Sequence, residues 1–221
     1  MKRDAFLKYF PVPKYLELPT VGIDISDNSI RYIELIKSGE YMKLGRYGKK
    51  MLDSAGGVYT PDETIENDNL RPELVGLIEK NFFGTVNASL PEDHAYFLRL
   101  RLPWMEAPKV REAIGLQIED HVPYLAEEVI FDYEIVNGNK STQHIDTTVS
   151  IIPRLVAEKY LTTLQLAGLE VASLSIESDA MIKAVVPRDA EETFIVVNIG
   201  KNKTVISVVN GGTIWISDTI K

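Results

Sequence analysis

A strand–turn–strand pattern is written twice in this chain. Residues 21–35 read VGIDISDNSIRYIEL and residues 195–209 read IVVNIGKNKTVISVV. In each, an apolar strand leads to Asp24 or Asn198, then an isoleucine, then a small residue, Ser26 or Gly200. A polar turn follows, then Ser29 or Thr204, then a second apolar strand. Short polar side chains favour turns because they hydrogen-bond their own backbone. They also suit a loop that wraps a phosphate, because small side chains leave backbone N–H groups free to face an anion. One such turn reads as an ordinary hairpin. Two of the same pattern, each opening an α/β unit, point to a duplicated phosphate-binding element.

The chain between them is long enough for helices and a core. At 221 residues it holds one large or two small domains. It has no cysteine, so disulfides, thiolate metal sites and a cysteine nucleophile are excluded. The net charge is −8, with +4 in the first fifty residues and −12 in the rest. An acidic chain without a long basic run argues against broad nucleic-acid binding. No apolar run approaches the ~20 residues of a membrane helix. The N-terminal stretch MKRDAFLKYFPVPKYL is interrupted by Lys8, Pro11 and Pro13, so it is no signal peptide. It reads as a packing arm, with a membrane- or partner-facing segment as the sharper alternative.

Period and punctuation place the elements. Tyr41 to Leu52 reads as a third strand, and residues 53–68 as an acidic loop with Gly56-Gly57 and Pro61. Leu70, Leu74, Leu77 and Ile78 follow helical spacing, with Asn69 as a cap. Strands are expected at Thr85–Leu90, His94–Leu102, Val129–Val136 and Thr147–Ile152, with Asn137-Gly138-Asn139 as the turn between the last two. Helices are expected at Met105–His121, at Arg154–Leu166 ended by Gly168, and from Asp179 to about Val186, with a strand at Val171–Ile176. The last thirty residues read as a three-stranded meander turning at Gly200–Lys203 and Asn210–Gly212. A meander with no helix after it is open on one face, so a fragment of a longer protein is expected.

Duplicated hairpins with helices between them are the signature of the actin-like ATPase architecture, and the chain resembles the PilM family of type IV pilus assembly, itself related to FtsA. Four segments carry the likeness in the family's order: FPVPKYLELPTVGIDISDNSIRYIEL, REAIGLQIEDHVPYLAEEVIFDYEIV, LQLAGLEVASLSIESDAMIKAV and FIVVNIGKNKTVISVVNGG. The resemblance implies an α/β actin-like ATPase fold with an α+β insert. A ribonuclease-H-like first lobe would span 1–85 and 153–187, an inserted small subdomain 86–152, and the start of an incomplete second lobe 188–221. It implies ATP and Mg2+ between lobes, with Asp24 near the metal. Asp24, Ser26, Asp27, Ser29 and Arg31 match the first phosphate loop; Asn198, Gly200 and Lys201 match the second; Glu177 falls where the lobes join. It implies a partner, the N-terminal cytoplasmic tail of a PilN-like inner-membrane protein held in a first-lobe groove. The role implied is a cytoplasmic scaffold, peripheral to the inner membrane through its partners, and not an enzyme.

Departures from the family pattern qualify the nucleotide site. Arg31 stands where the family has Lys, and Asn198 where it has Asp. Loss of that carboxylate weakens magnesium handling and water activation. The chain carries no Gly-rich adenosine motif, so poor ATP binding is expected. A phosphotransferase of the same superfamily needs an acidic base that Asn198 does not supply. An FtsA-like division filament is the other alternative. His94, His121 and His144 lack metal-ligand spacing. Glu119-Asp120 beside His121 reads as a solvated helix end, and Glu127-Glu128 as an exposed face. Ser173, Ser175 and Ser178 have no nucleophile-elbow setting. Arg99 and Arg101 alternate with leucines, as a solvated face or an edge for peptide addition. Exposed strand edges favour self-association into a homo-oligomer.

Overall fold

Alternation along TVGIDIS decides how the first strand sits. In β1 (Thr20–Ser26) Val21, Ile23 and Ile25 are buried on one face, which leaves Gly22 and Asp24 on the other. The computed structural model describes residues 20–26, 29–39, 41–52, 70–81, 84–139, 141, 143–187, 190, 192–201 and 203–220. The N-terminal arm, the acidic loop 53–68 and the Asn69 cap lie outside the described residues. Antiparallel pairing joins β1 to β2 (Ser29–Ser38), and β2 to β3 (Tyr41–Met51). Parallel pairing joins β1 to β4 (Thr85–Leu90) and β4 to β8 (Glu170–Ile176), giving the order β3-β2-β1-β4-β8. Helices α1 (Leu70–Asn81) and α3 (Arg154–Leu166) cover the apolar face. Leu70, Leu74 and Leu77 meet Val156, Tyr160 and Leu164 there, over Val21, Ile23 and Val86.

Within this sheet Arg46 of β3 grips Glu34 of β2. Its Nε and Nη2 donate to the two carboxylate oxygens at 2.8 Å each, a bidentate pair. Those hydrogen bonds hold the Glu34 carboxyl down at about 2. A depressed carboxyl stabilises the fold above its unfolded pKa and loses that contribution as pH falls through its folded pKa. Urea unfolding between pH 4.5 and pH 2 is therefore expected to show declining stability, and Glu34→Gln is expected to flatten that decline.

A separate three-stranded antiparallel sheet has the order β5-β7-β6, from β5 (Tyr96–Pro103), β6 (Val129–Asn139) and β7 (His144–Pro153). Helix α2 (Ala107–Ile118) lays Val110, Ile114 and Ile118 on Leu100, Leu102, Val149 and Ile151. The strand Thr85–Leu90 belongs to the five-stranded sheet, so this smaller unit starts beyond residue 86. Val86, Ala88 and Leu90 are all buried, as in a central strand, but a sequence does not say which sheet such a strand joins.

The expected turn at Asn137-Gly138-Asn139 is instead the end of β6, paired with Asp146, Ile145 and His144 after a bulge between Ile135 and Asn137. Gly138 has φ +140°, and a Cβ there would lie 2.5 Å from the His144 carbonyl oxygen. Glycine is required by the approach of the neighbouring strand rather than by a turn. Gly138→Ala is expected to destabilise the chain by about 1–3 kcal/mol in urea unfolding.

The meander is as expected: β9 (Thr193–Ile199), β10 (Thr204–Asn210) and β11 (Thr213–Ile220), ordered β11-β10-β9. Helix α4 (Glu177–Val185) buries Ile182 against Val209 and Ile214. Ile195, Val197 and Ile199 of β9 remain exposed. Arg99 and Arg101 are exposed on β5, as a solvated face requires, and also make local contacts. Arg101 Nε donates to Asp146 Oδ1 at 2.7 Å, and the Arg99 guanidinium lies 4.0 Å from the centre of the Trp215 ring on β11.

Candidate functional site

Register brings the first hairpin's polar residues together. Asp24 is paired with Arg31 across β1–β2 and with Ser89 across β1–β4, so all three share one face. Asp24 Oδ1 accepts from Ser89 Oγ at 2.7 Å, and Oδ2 accepts from Arg31 Nη1 at 3.0 Å. Half-exposed Arg31 makes this ion pair weak in stability, but it fixes where the carboxylate points. Ser26 Oγ donates to the Ser29 carbonyl at 3.2 Å and lies 3.0 Å from Ser29 Oγ, so these serines close the hairpin. Asp27 lies outside the described residues.

The second hairpin has the same register. Ile199 pairs with Thr204 and Asn198 with Val205, just as Ile25 pairs with Ile30 and Asp24 with Arg31. The structural counterpart of Ser29 is therefore Lys203, not Thr204. Gly200 N–H donates to the Lys203 carbonyl at 2.8 Å, and a Cβ on Gly200 would meet that oxygen at 2.8 Å. Nothing larger than glycine closes this turn unchanged. Lys201 is exposed.

Between the hairpins, Glu177 opens α4. Its Oε1 accepts from Asn198 Nδ2 at 3.3 Å, and its Oε2 lies 3.5 Å from Lys203 Nζ. Burial raises the Glu177 carboxyl above its ordinary range, Lys203 pulls it back, and Asp24 adds to the rise. Asp24, Arg31, Glu177 and Asn198 line one cleft of about 750 Å³ with Gly22, Asn87, Ser89 and apolar Ile33, Tyr47 and Met181. Ser26, Ser29, Gly200 and Lys201 do not line it. Ser89, Lys203, Glu92 and Asp93 were not singled out from the sequence. Counting the two repeats at equal spacing would have placed Lys203 opposite Ser29.

The donor set does not suit a divalent cation. Both Asp24 oxygens have side-chain donors, and Glu177 is engaged by Asn198 and Lys203. Among the described residues no group of three or more His, Asp or Glu side chains is placed to hold a metal. Hard divalent ions need several oxygen ligands at once.

Paired hairpins of one register on two sheets, with a small α+β unit set into the first, define an actin-like ATPase fold. The chain belongs to the family of type IV pilus assembly protein PilM, whose family model matches residues 22–218. It is similar to a solved PilM–PilN type IV pilus biogenesis complex, with TM-score 0.77 and 18% identity over 92% of this chain and 61% of that one. It is also similar to the cytoplasmic domain of EpsL, an inner-membrane component of the type II secretion system of Vibrio cholerae. That match has TM-score 0.61 and 13% identity over 92% of this chain and 71% of the other. At these identities the likeness shows the fold. The chain spans 61% of the length of its counterpart in the PilM–PilN structure. No described helix is long and apolar enough to cross a membrane.

Proposed function

We propose that this chain is a scaffold of type IV pilus assembly that holds the N-terminal cytoplasmic tail of a PilN-like inner-membrane protein, without turning over ATP. Family membership and the fold of a protein solved with PilN support the partner. The observation that carries the reading is a groove of about 250 Å³ between the small sheet and the main lobe. One wall is the face of β6–β7 turned away from α2, with Ile130, Asp132, Glu134 and Ile152. The other wall holds Leu174 and Ile176 of β8 with Asp179 and Lys183 of α4. Lys183 Nζ donates to Asp179 Oδ2 at 2.7 Å, so Asp132 and Glu134 set the sign of the rim. An apolar floor under an acidic rim suits a short peptide with apolar side chains and a positive N-terminus. Docked this way, the chain would sit at the cytoplasmic face of the inner membrane through its partner.

The cleft between the hairpins supports the non-enzymatic half of the reading. Water activation needs a free base or a metal, and Asn198 supplies neither. The expected result is peptide binding that is the same with and without ATP·Mg2+, and no release of γ-phosphate above a protein-free control. Nucleotide-gated binding or steady turnover would contradict it.

A further inference from the structure

Lys203 has a setting that the phosphate-loop comparison does not explain. Its side chain is 9% exposed, and its Nζ donates to Asp93 Oδ2 at 2.6 Å and lies 3.5 Å from Glu177 Oε2. Asp93 belongs to the short turn after β4, Glu177 opens α4, and Lys203 precedes β10. One ammonium therefore ties three separate stretches of chain together. Beside it, buried Glu92 accepts from Ser217 Oγ of β11 at 2.6 Å and from the Ser178 N–H at 3.2 Å. Asp93 and Glu177 therefore meet at one ammonium, and Asp24 and Glu92 lie near enough to Glu177 to push its carboxyl up. Arg31 answers Asp24, and Lys203 answers Asp93 and Glu177. Burying an ammonium is costly unless carboxylates surround it, and burying those carboxylates is costly without a cation.

We propose that Lys203 is the resident cation behind the Glu177 wall of the cleft: it supplies the positive charge that a divalent ion would otherwise bring, and it fastens the second hairpin to the first lobe. The cleft is then held together without a metal. This holds whatever peptide the groove binds, so it stands or falls separately from the partner assignment.

Mn2+ alone is the probe, followed by electron paramagnetic resonance on the full chain. The intact chain is expected to bind Mn2+ no better than its Asp24→Asn or Glu177→Gln variants. Lys203→Ala removes the ammonium that lies beside both Asp93 and Glu177. It is expected to gain Mn2+ affinity by about tenfold or more and to lose roughly 10 °C in Tm, part of which Mn2+ restores. Lys203→Gln, which keeps bulk and hydrogen bonding, is expected to gain Mn2+ affinity in the same way and serves if the alanine variant does not fold. A Mn2+ site in the intact chain that Asp24→Asn or Glu177→Gln abolishes would overturn the proposal. So would a folded Lys203 variant with no gain in Mn2+ affinity. The measurement on the intact chain decides even if neither variant folds.

Discussion

Tyr160→Ala is expected to lower the unfolding free energy by about 3–5 kcal/mol, a large share of the stability of a domain this size. Tyr160 is fully buried on α3, packed in the cluster formed by β1, β4 and α1. Truncation removes an aromatic side chain from a close-packed interior and leaves a cavity that two helices and a sheet cannot readily close. The effect reaches the cleft, because the face of β1 and β4 opposite Tyr160 carries Asp24 and Ser89. Tyr160→Phe keeps the ring and is expected to lose far less. Urea unfolding of both variants checks this. An alanine variant within about 1 kcal/mol of the parent would mean that the core is not built around α3 as described.

Charge reversal at the groove rim is expected to have the largest effect on binding. Asp132→Lys with Glu134→Lys should weaken a PilN-like tail peptide by about tenfold or more, which corresponds to about 1.4 kcal/mol. Both residues lie on one face of β6, opposite Ser150 and Thr148 of β7, and that face is not the one that packs on α2. The double variant should therefore keep the parent's stability while losing affinity. Isothermal titration together with unfolding curves separates the two effects. Unchanged affinity in a folded double variant would move the partner site elsewhere. Loss of stability equal to the loss of binding would make the rim structural.

The fold was legible where period and punctuation agree. Arg154–Leu166 was expected as a helix and forms over those residues, because Val156, Tyr160 and Leu164 repeat at helical spacing and Gly168 ends the turn after it at φ +92°. The meander and the first hairpin were legible for the same reason, with alternation interrupted by turn residues. Gly138 misled because an Asn-Gly-Asn run signals a turn, while here glycine accommodates a neighbouring strand at a bulge. Val86 to Leu90 was counted with the inserted subdomain but pairs in the five-stranded sheet, because pairing partners are chosen by tertiary packing, which a single strand's pattern does not carry. At the site, Asp24, Arg31, Glu177 and Asn198 were singled out and share a cleft. Lys203 was missed because its partners, Asp93 and Glu177, are distant in sequence. A lysine in a polar turn reads as solvated until two carboxylates are found around it.

The most direct test is titration of the purified chain with a synthetic peptide of the PilN-like cytoplasmic tail from the same genome, with ATP·Mg2+ titrated in parallel. Saturable peptide binding is expected, with an affinity unchanged by ATP·Mg2+. Binding of ATP·Mg2+ without binding of the peptide would contradict it, and would make the paired hairpins a working nucleotide site despite Asn198.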